Sequence, residues 1–418
     1  MSGIRPPALP ANDPYVALRT PNFRRFIASS LTMTLAAQLQ GTVVAWQVYA
    51  ITRDPLSLGL IGLAEALPFI GVALFAGHVA DRADRRRIAL AALAALVGCS
   101  VALLLLTLRP LAGRSQLTAI YATIVVSGVA RSFLQPARVA LGAELIPREQ
   151  YANAVTWRTS TWQLAAVLGP ALGGLLYALA GPAVAYAADV ALMGGALACM
   201  AAISVAPRAL APASGSVLES LAVGIRFMRG QRVLLGALTL DLFSVLFGGA
   251  VALLPVFAAE ILHVGPQGLG ALRAAPAAGA VLMSLALAHR PPLERAGRTL
   301  LAAVAVFGLC MIGFALSRHV ALSLALLAAS GMADTVSVII RSTLLQLLTP
   351  EHLLGRVSSV NSIFIGSSNE IGAFESGVAA KLLGTVASVV LGGVATLGVV
   401  ATVGLRVPEL RRLRHITG

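Results

Sequence analysis

Long apolar segments recur along the whole chain, each about as long as a helix that crosses a lipid bilayer. The segment 88–108 contains no ionisable residue, and a bilayer core is spanned by about 20 mostly apolar residues. The chain is 58% hydrophobic and 11% charged, whereas soluble domains carry about 25% charged residues. The runs are continuous rather than alternating, which argues against a spanning β-barrel. The sequence therefore predicts an all-α polytopic membrane protein.

Glycine, proline and charged residues separate the apolar runs and mark the turns between them. We predict twelve transmembrane helices, at 26–50, 56–80, 88–108, 116–140, 152–180, 183–205, 233–258, 267–289, 299–317, 320–346, 354–380 and 385–405.

The distribution of basic residues predicts the orientation of the chain in the membrane. The net charge is +14, and an excess of Arg and Lys in short loops marks the cytoplasmic side. Most basic residues lie in alternate loops, including the run 77–87 between spans 2 and 3. The opposite loops hold only Arg53, Arg109, Arg114, Arg318 and Lys381. We therefore expect a multi-pass protein of the bacterial inner membrane with both termini in the cytoplasm and no nucleic-acid partner.

The two halves of the chain are similar in sequence. Gly331 and Arg341 each stand 203 residues beyond their matches, Gly128 and Arg138. Because each half holds six spans, both halves keep one orientation, which is a parallel repeat. We predict a cytoplasmic tail at 1–25, a six-helix bundle at 26–205, a linker with an amphipathic helix at 206–232, a second six-helix bundle at 233–405, and a cytoplasmic tail at 406–418.

The segment between spans 2 and 3 resembles the loop signature of the major facilitator superfamily, G-x-x-x-D-R-x-G-R-R. The matching residues are Gly77, Asp81, Arg82, Arg85 and Arg86. Asp84 stands where the signature has its second glycine, which puts the tight turn there in question. A carboxylate at the end of span 2 can bridge to another helix and to its N-terminal dipole. The resemblance implies a gate that holds the cytoplasmic face closed until transport opens it.

Two further resemblances narrow the branch of the superfamily. The motif LGPALGG in span 5 is similar to the G-P-x-x-G-G signature of drug–proton antiporters, although small residues there also permit close helix packing. Its matching residues are Gly169, Pro170, Gly173 and Gly174. The segments at 22–26, 46–60 and 406–412 resemble the branch that contains the enterobactin exporter and macrolide efflux proteins. Together these imply the twelve-helix major facilitator fold, with spans 1, 4, 7 and 10 lining a central cavity, and they favour export.

Ionisable side chains inside the membrane are costly and usually functional. The candidates for a substrate and proton cavity are Gln38, Trp46, Arg131, Asp241 and Asp334. The candidates for contacts between the halves, or for second-choice proton sites, are Glu65, Arg158, Arg273, Glu370 and Glu375. Arg131 and Asp334 are equivalent in the repeat and opposite in charge. We expect Asp241 or Asp334 to carry protons; static ion pairs between helices are the alternative interpretation.

The favoured hypothesis is a proton-coupled antiporter that exports a small organic molecule, such as a siderophore or an antibiotic, by alternating access. An importer of a sugar, peptide or metal chelate on the same fold is the alternative. An intramembrane enzyme is not expected, because the six histidines lie at loops or helix ends and form no HExxH motif. No P-loop occurs either, which argues against ATP-driven transport by this chain alone. The three cysteines form no Cys/His cluster, so neither a metal nor a cofactor is expected. The expected partners are a small-molecule substrate, protons and the lipid bilayer, and the expected state is a monomer.

Overall fold

The computed structural model describes residues 13–204, 217–248, 250–289 and 295–413. Over these residues the secondary structure is helical, and no strand is present. Nine helices in this part of the chain are long and apolar enough to cross a membrane. The predicted all-α polytopic class is therefore confirmed.

Fourteen α-helices make up the described chain. They are α1 (Pro21–Thr52), α2 (Pro55–Arg82), α3 (Arg85–Leu108), α4 (Arg114–Glu144), α5 (Tyr151–Ala201), α6 (Val217–Gly230), α7 (Arg232–Phe247), α8 (Ala250–Val256), α9 (Gly265–Ala288), α10 (Ala296–Leu316), α11 (Val320–Leu348), α12 (Glu351–Leu383), α13 (Thr385–Arg406) and α14 (Pro408–Arg412). A π-helical turn, Phe257–Ile261, extends α8.

The helices correspond to the predicted spans once two features are recognised. Helix α5 breaks at Gly181, whose φ of 81° is a conformation that favours glycine, and its two arms are spans 5 and 6. Helices α7 and α8 with the π-helical turn together make span 7. Helices α1 and α12 are as long as the others but carry more polar residues.

Local sequence explains where several helices begin. Pro55 occupies the first turn of α2. Its fixed φ suits a helix there, and the N–H that proline lacks would have had no hydrogen-bond acceptor within the helix. The Asp54 side chain accepts a hydrogen bond from the Leu56 N–H at 3.1 Å and so caps this helix. Asp84 caps α3 in the same way, accepting from the Arg86 N–H at 2.9 Å.

The linker between the bundles is described from Val217 onwards. Residues 206–216 of the predicted linker lie outside the described residues, as do residue 205 of the predicted first bundle, 1–12 of the N-terminal tail and 414–418 of the C-terminal tail. Helix α6 packs on α12, where a Cβ added at Gly224 would come within 3.0 Å of the Arg356 carbonyl oxygen. The amphipathic helix expected in this linker thus lies against the second bundle.

Small residues join the N half (α1–α5) to the C half (α7–α13). A Cβ added at Gly174 of α5 would lie 2.8 Å from the Gly270 Cα of α9. A Cβ added at Gly59 of α2 would lie 3.0 Å from the Gly377 Cα of α12. Because Gly174 and Gly377 are repeat-equivalent, the two contacts are related as the parallel repeat predicts.

The halves are held together at one end of the molecule, which we call the Lys381 end. The Lys381 Nζ lies 2.9 Å from the Asp54 Oδ2, and the Tyr49 hydroxyl donates a hydrogen bond to the Glu260 carboxylate. The opposite end carries the turn before Arg85, and we call it the Arg85 end. Among the described residues, the ion pair and the hydrogen bond that join the halves both lie at the Lys381 end.

Candidate functional site

A cavity of about 150 Å³ lies between the halves, on the inner side of the Lys381 end. Gln38 of α1, Glu65 of α2, Arg131 of α4 and Arg273 of α9 all line it. Glu65 lies roughly three turns into α2 from the Lys381 end, so the cavity is well inside the membrane. The structure thus brings together four candidates that the sequence placed in four different spans.

The charged side chains of this cavity come from both halves. The Arg131 Nη1 lies 3.3 Å from the Glu65 Oε1. The Arg273 Nη1 is buried without a hydrogen-bond acceptor among the described residues, and the charge of Glu65 acts on it. Glu370 of α12 interacts electrostatically with Glu65 and Arg131. We call Glu65, Arg131, Arg273 and Glu370 the four-charge cluster; each half supplies one acid and one base.

A buried polar group supports the cavity wall. The Gln40 side chain donates a hydrogen bond of 2.8 Å to the Asp189 carboxylate and another of 3.2 Å to the Ser100 hydroxyl. Asp189 is fully buried, and Gln40 also lines the cavity. Asp189 is absent from the candidate residues predicted above, although an acid within an apolar span is the signal that points to it.

Two of the predicted proton acids lie outside this cavity. Asp241 forms an ion pair with Arg341, and the two side chains are 8% and 7% exposed. Asp334 of α11 is exposed and has no ion-pair or hydrogen-bond partner among the described residues. Asp241 is therefore neutralised within its own half, and Asp334 lines neither this cavity nor that ion pair.

The other predicted residues have separate locations. The Trp46 ring lies 6.5 Å from the Tyr177 ring and packs against the apolar core of the C half, so it belongs to the contact between the halves. Glu375 is partly buried on α12 beyond Glu370. Arg158 lines a different cavity, nearer the Arg85 end.

The loop motif is anchored within the N half. Arg85 forms an ion pair with Glu144 at the end of α4, and the Arg86 Nη2 donates a hydrogen bond of 2.7 Å to the Ala201 carbonyl. Asp84, which stands where the signature has glycine, has a φ of −62°, so no glycine is required there. Gly77 lies within α2. The side chains of Asp81 and Arg82 lie outside the described residues.

The span 5 motif packs at the contact between helices. A Cβ added at Gly169 would lie 2.5 Å from the Gln38 Cβ, and one added at Gly173 would lie 2.9 Å from the Leu39 carbonyl oxygen. Gly174 faces α9 of the other half, and Pro170 is buried with its carbonyl oxygen directed at Gly270. The motif therefore lets α5 approach both α1 and α9 closely.

Metal ligands are not grouped anywhere in the described part of the chain: no three His, Cys, Asp or Glu side chains there are placed to hold a metal ion.

Comparisons with known proteins identify the family. The family described as transmembrane secretion effector matches residues 12–416. Relatives include the enterobactin exporter EntS of Shigella flexneri, 29% identical over 94% of each chain, and that of Citrobacter koseri (strain ATCC BAA-895 / CDC 4225-83 / SGSC4696), 28% identical over 94% of each chain.

Solved structures agree on the fold. The peptide transporter POT in complex with sulfate has a TM-score of 0.73 at 13% identity, covering 97% of this chain and all of that one. A bacterial homologue of the human lysosomal transporter Spinster, inward-facing and unoccupied, has a TM-score of 0.68 at 14% identity, covering 94% and 96%. The chain is a multi-pass membrane transporter with the major facilitator fold, and it belongs to the transmembrane secretion effector family.

Proposed function

We propose that the protein exports a small organic molecule of the siderophore or antibiotic class across the bacterial inner membrane, in exchange for protons and by alternating access. The observation that carries this proposal is the four-charge cluster, in which each half contributes one acid and one base at the closed end of a cavity. Any motion that opens the Lys381 end must pull this cluster apart.

The orientation supports an inward-open conformation. The Arg-rich loops lie at the Arg85 end, and the positive-inside rule assigns that end to the cytoplasm. The seal at the Lys381 end then faces outwards, and the cavity is reached from the cytoplasm. A substrate made in the cell would enter from this side.

The division of the cluster between the two halves supports the proposed proton coupling. Opening the Lys381 end separates Glu65 and Arg131 from Arg273 and Glu370. The acids then face the outer solution without the base of the other half, and either can take up a proton. Closing the seal brings the proton to the inner side, where it is released as the acids meet both bases again. One cycle would move protons inwards and substrate outwards.

The relatives support the direction and the substrate class. The curated relatives are named enterobactin exporters, and enterobactin is a siderophore. The fold comparisons include a peptide transporter, but at 13% identity they bear on the fold alone and do not favour import.

The test is transport by purified protein in proteoliposomes with an imposed pH difference. Enterobactin and novobiocin, an acidic antibiotic that does not accumulate passively in an acidic compartment, serve as the two probes, representing siderophores and antibiotics. We expect one of them to accumulate in liposomes with an acidic interior, and a protonophore to abolish the accumulation. Accumulation that does not depend on the pH difference would exclude proton coupling. If neither probe is transported, the proposed substrate classes are excluded.

A further inference from the structure

A second cavity, of about 380 Å³, lies in the N half between α1, α4 and α5. It is lined by two arginines, four hydroxyl side chains, a valine and a tryptophan: Arg138, Arg158, Ser30, Thr34, Thr159, Thr161, Val155 and Trp162. No acidic side chain is among these lining residues. The cavity is therefore positively charged and rich in hydrogen-bond donors.

The two arginines lack partners that would neutralise them. The Arg138 Nη2 donates to the Gln135 Oε1 at 3.0 Å, but its Nε is buried without an acceptor among the described residues. Arg158 has neither an ion pair nor a hydrogen bond with any described residue, and its charge acts on Arg138. Two unpaired like charges within membrane-spanning helices are costly, and a bound anion would remove much of that cost.

The C half contains the same site in neutralised form. Arg341, the repeat equivalent of Arg138, is paired with Asp241. The residue equivalent to Asp241 is Gln38, and the residue equivalent to Arg158 is Asn361. Asp241 and Asn361 line a smaller, mainly apolar cavity of about 90 Å³. The N half thus lacks the acid that neutralises the arginine found at this position in both halves, and it has a second arginine in addition.

The cavity opens on the transport side of the helices. Ser30, Thr34 and Gln38 follow one another at intervals of four residues and so share one face of α1. Arg138 lies seven residues beyond Arg131, which is two turns of α4 and about 10 Å along its axis. Arg138 therefore lies two turns from the four-charge cluster on the same face of α4, nearer the Arg85 end, and Arg158 of α5 lines the same cavity.

We propose that Arg138 and Arg158 form a binding subsite for the anionic group of the transported molecule, so that the substrates are organic anions. The anion binds there first and then passes to Arg131 and Arg273. Trp162, which is 54% exposed, offers an aromatic surface beside the two charges. The direction in which the anion moves rests on the proposed export function, but its binding at Arg138 and Arg158 does not depend on proton coupling.

The test is equilibrium binding of radiolabelled salicylate to the full-length protein in phosphatidylcholine nanodiscs, with the neutral salicylamide as a competitor of the same shape. We expect Arg138→Gln and Arg158→Gln each to weaken salicylate binding on the order of tenfold, because each loses a charge-assisted hydrogen bond. Arg109→Gln, which removes an exposed arginine elsewhere in the same half, should bind salicylate as the unmodified protein does. Salicylamide should compete poorly.

A second variant keeps both arginines in place. Gln38→Asp rebuilds in the N half the acid that neutralises Arg341 in the C half, and we expect it to weaken salicylate binding without removing a cation. Unchanged binding in this variant and in both arginine variants would overturn the proposal. Equal competition by salicylamide would also overturn it, because charge would then not be recognised.

A phospholipid headgroup can also be an anion, so a further experiment distinguishes a lipid from the transported molecule as the ligand of this site. Nanodiscs that contain phosphatidylglycerol should bind salicylate as well as phosphatidylcholine nanodiscs do. If phosphatidylglycerol displaces salicylate in the unmodified protein but not in the arginine variants, the site belongs to lipid and the proposal fails. Binding that is lost in the variants while proteoliposomes show no proton-coupled export would contradict the export mechanism and leave the anion subsite standing.

Discussion

Of the two acids in the four-charge cluster, Glu370 depends more on contacts with the other half. Glu65 already has an ion pair with Arg131 in its own half, whereas Glu370 has no ion-pair partner among the described residues. A Cβ added at Gly62 would lie 2.8 Å from the Glu370 carbonyl oxygen, so Glu370 sits directly at the contact between α2 and α12. In the proposed cycle, separation of the halves would change its surroundings more than those of Glu65.

We predict that Glu370→Gln abolishes uphill export and preserves downhill exchange of substrate. The amide keeps the size of the side chain but can neither gain nor lose the proton. The measurement is substrate accumulation in proteoliposomes with and without a pH difference. The matched control is Glu351→Gln, which changes an exposed acid at the start of the same helix and should pump normally. Normal uphill export by Glu370→Gln would remove this residue from the coupling mechanism.

The sequence could identify the charged residues of the site but not how they pair. An acid or a base inside an apolar run is visible in the sequence, and all four members of the cluster were found in that way. The partner of each side chain depends on which face of a helix it occupies and on the helix tilt, neither of which hydropathy reports. Arg131 matches Asp334 in the repeat, yet it pairs with Glu65. The role of Asp334 in proton transfer stays a prediction.

Helices α5 and α9 form one of the two close contacts between the halves, and glycine makes this possible. The span 5 motif was recognisable in the sequence, and its two interpretations, antiporter signature and close packing, were both considered. The helix against which Gly174 packs was not predictable, because residues 96 positions apart meet only once both bundles have folded. The matching contact of Gly377 with Gly59 follows from the repeat.

We predict that Gly174→Ala destabilises the closed Lys381 end and shifts the protein towards conformations that are open there. The added methyl group would lie 2.8 Å from the Gly270 Cα, and overpacking of this kind costs about 1–3 kcal/mol. Labelling of a cysteine introduced at a buried position of the Lys381 end, such as Ser57→Cys (Ser57 is 7% exposed), should become faster. Gly194→Ala is the control on the same helix, because a Cβ there meets no atom within 4 Å. Equal labelling rates in the two variants would contradict the prediction.

The two ends of the molecule differ in charge and in the contacts between the halves. The sequence predicts the difference in charge but not the contacts. The distribution of arginine indicates which end faces the cytoplasm. The angle between the bundles is set by packing that hydropathy does not describe, so the seal of Lys381 with Asp54 was not predicted. The orientation and the proposed boundaries of the two bundles stay predictions that labelling can test.

We predict that a cysteine at position 87 is reached from the cytoplasm and one at position 109 from the outside. Arg87 is an exposed residue in the first turn of α3, and Arg109 directly follows α3 at its opposite end. The measurement is labelling of Arg87→Cys and Arg109→Cys by a membrane-impermeant maleimide, in whole cells and in everted vesicles. Labelling of Arg87→Cys in whole cells would contradict the twelve-span orientation.

The seal at the Lys381 end consists of few and weak polar contacts, and this has a consequence for the lifetime of each state. The Lys381 and Asp54 side chains are 53% and 29% exposed, and an ion pair of this kind contributes about 0–1 kcal/mol. In the proposed alternating-access cycle, a seal built from such contacts and from glycine packing would leave both conformations populated. A ligand that prefers one of them by about 1.4 kcal/mol then changes their ratio tenfold. The lifetime of each conformation would then depend on whether the cavity is occupied, rather than on the breaking of a strong contact.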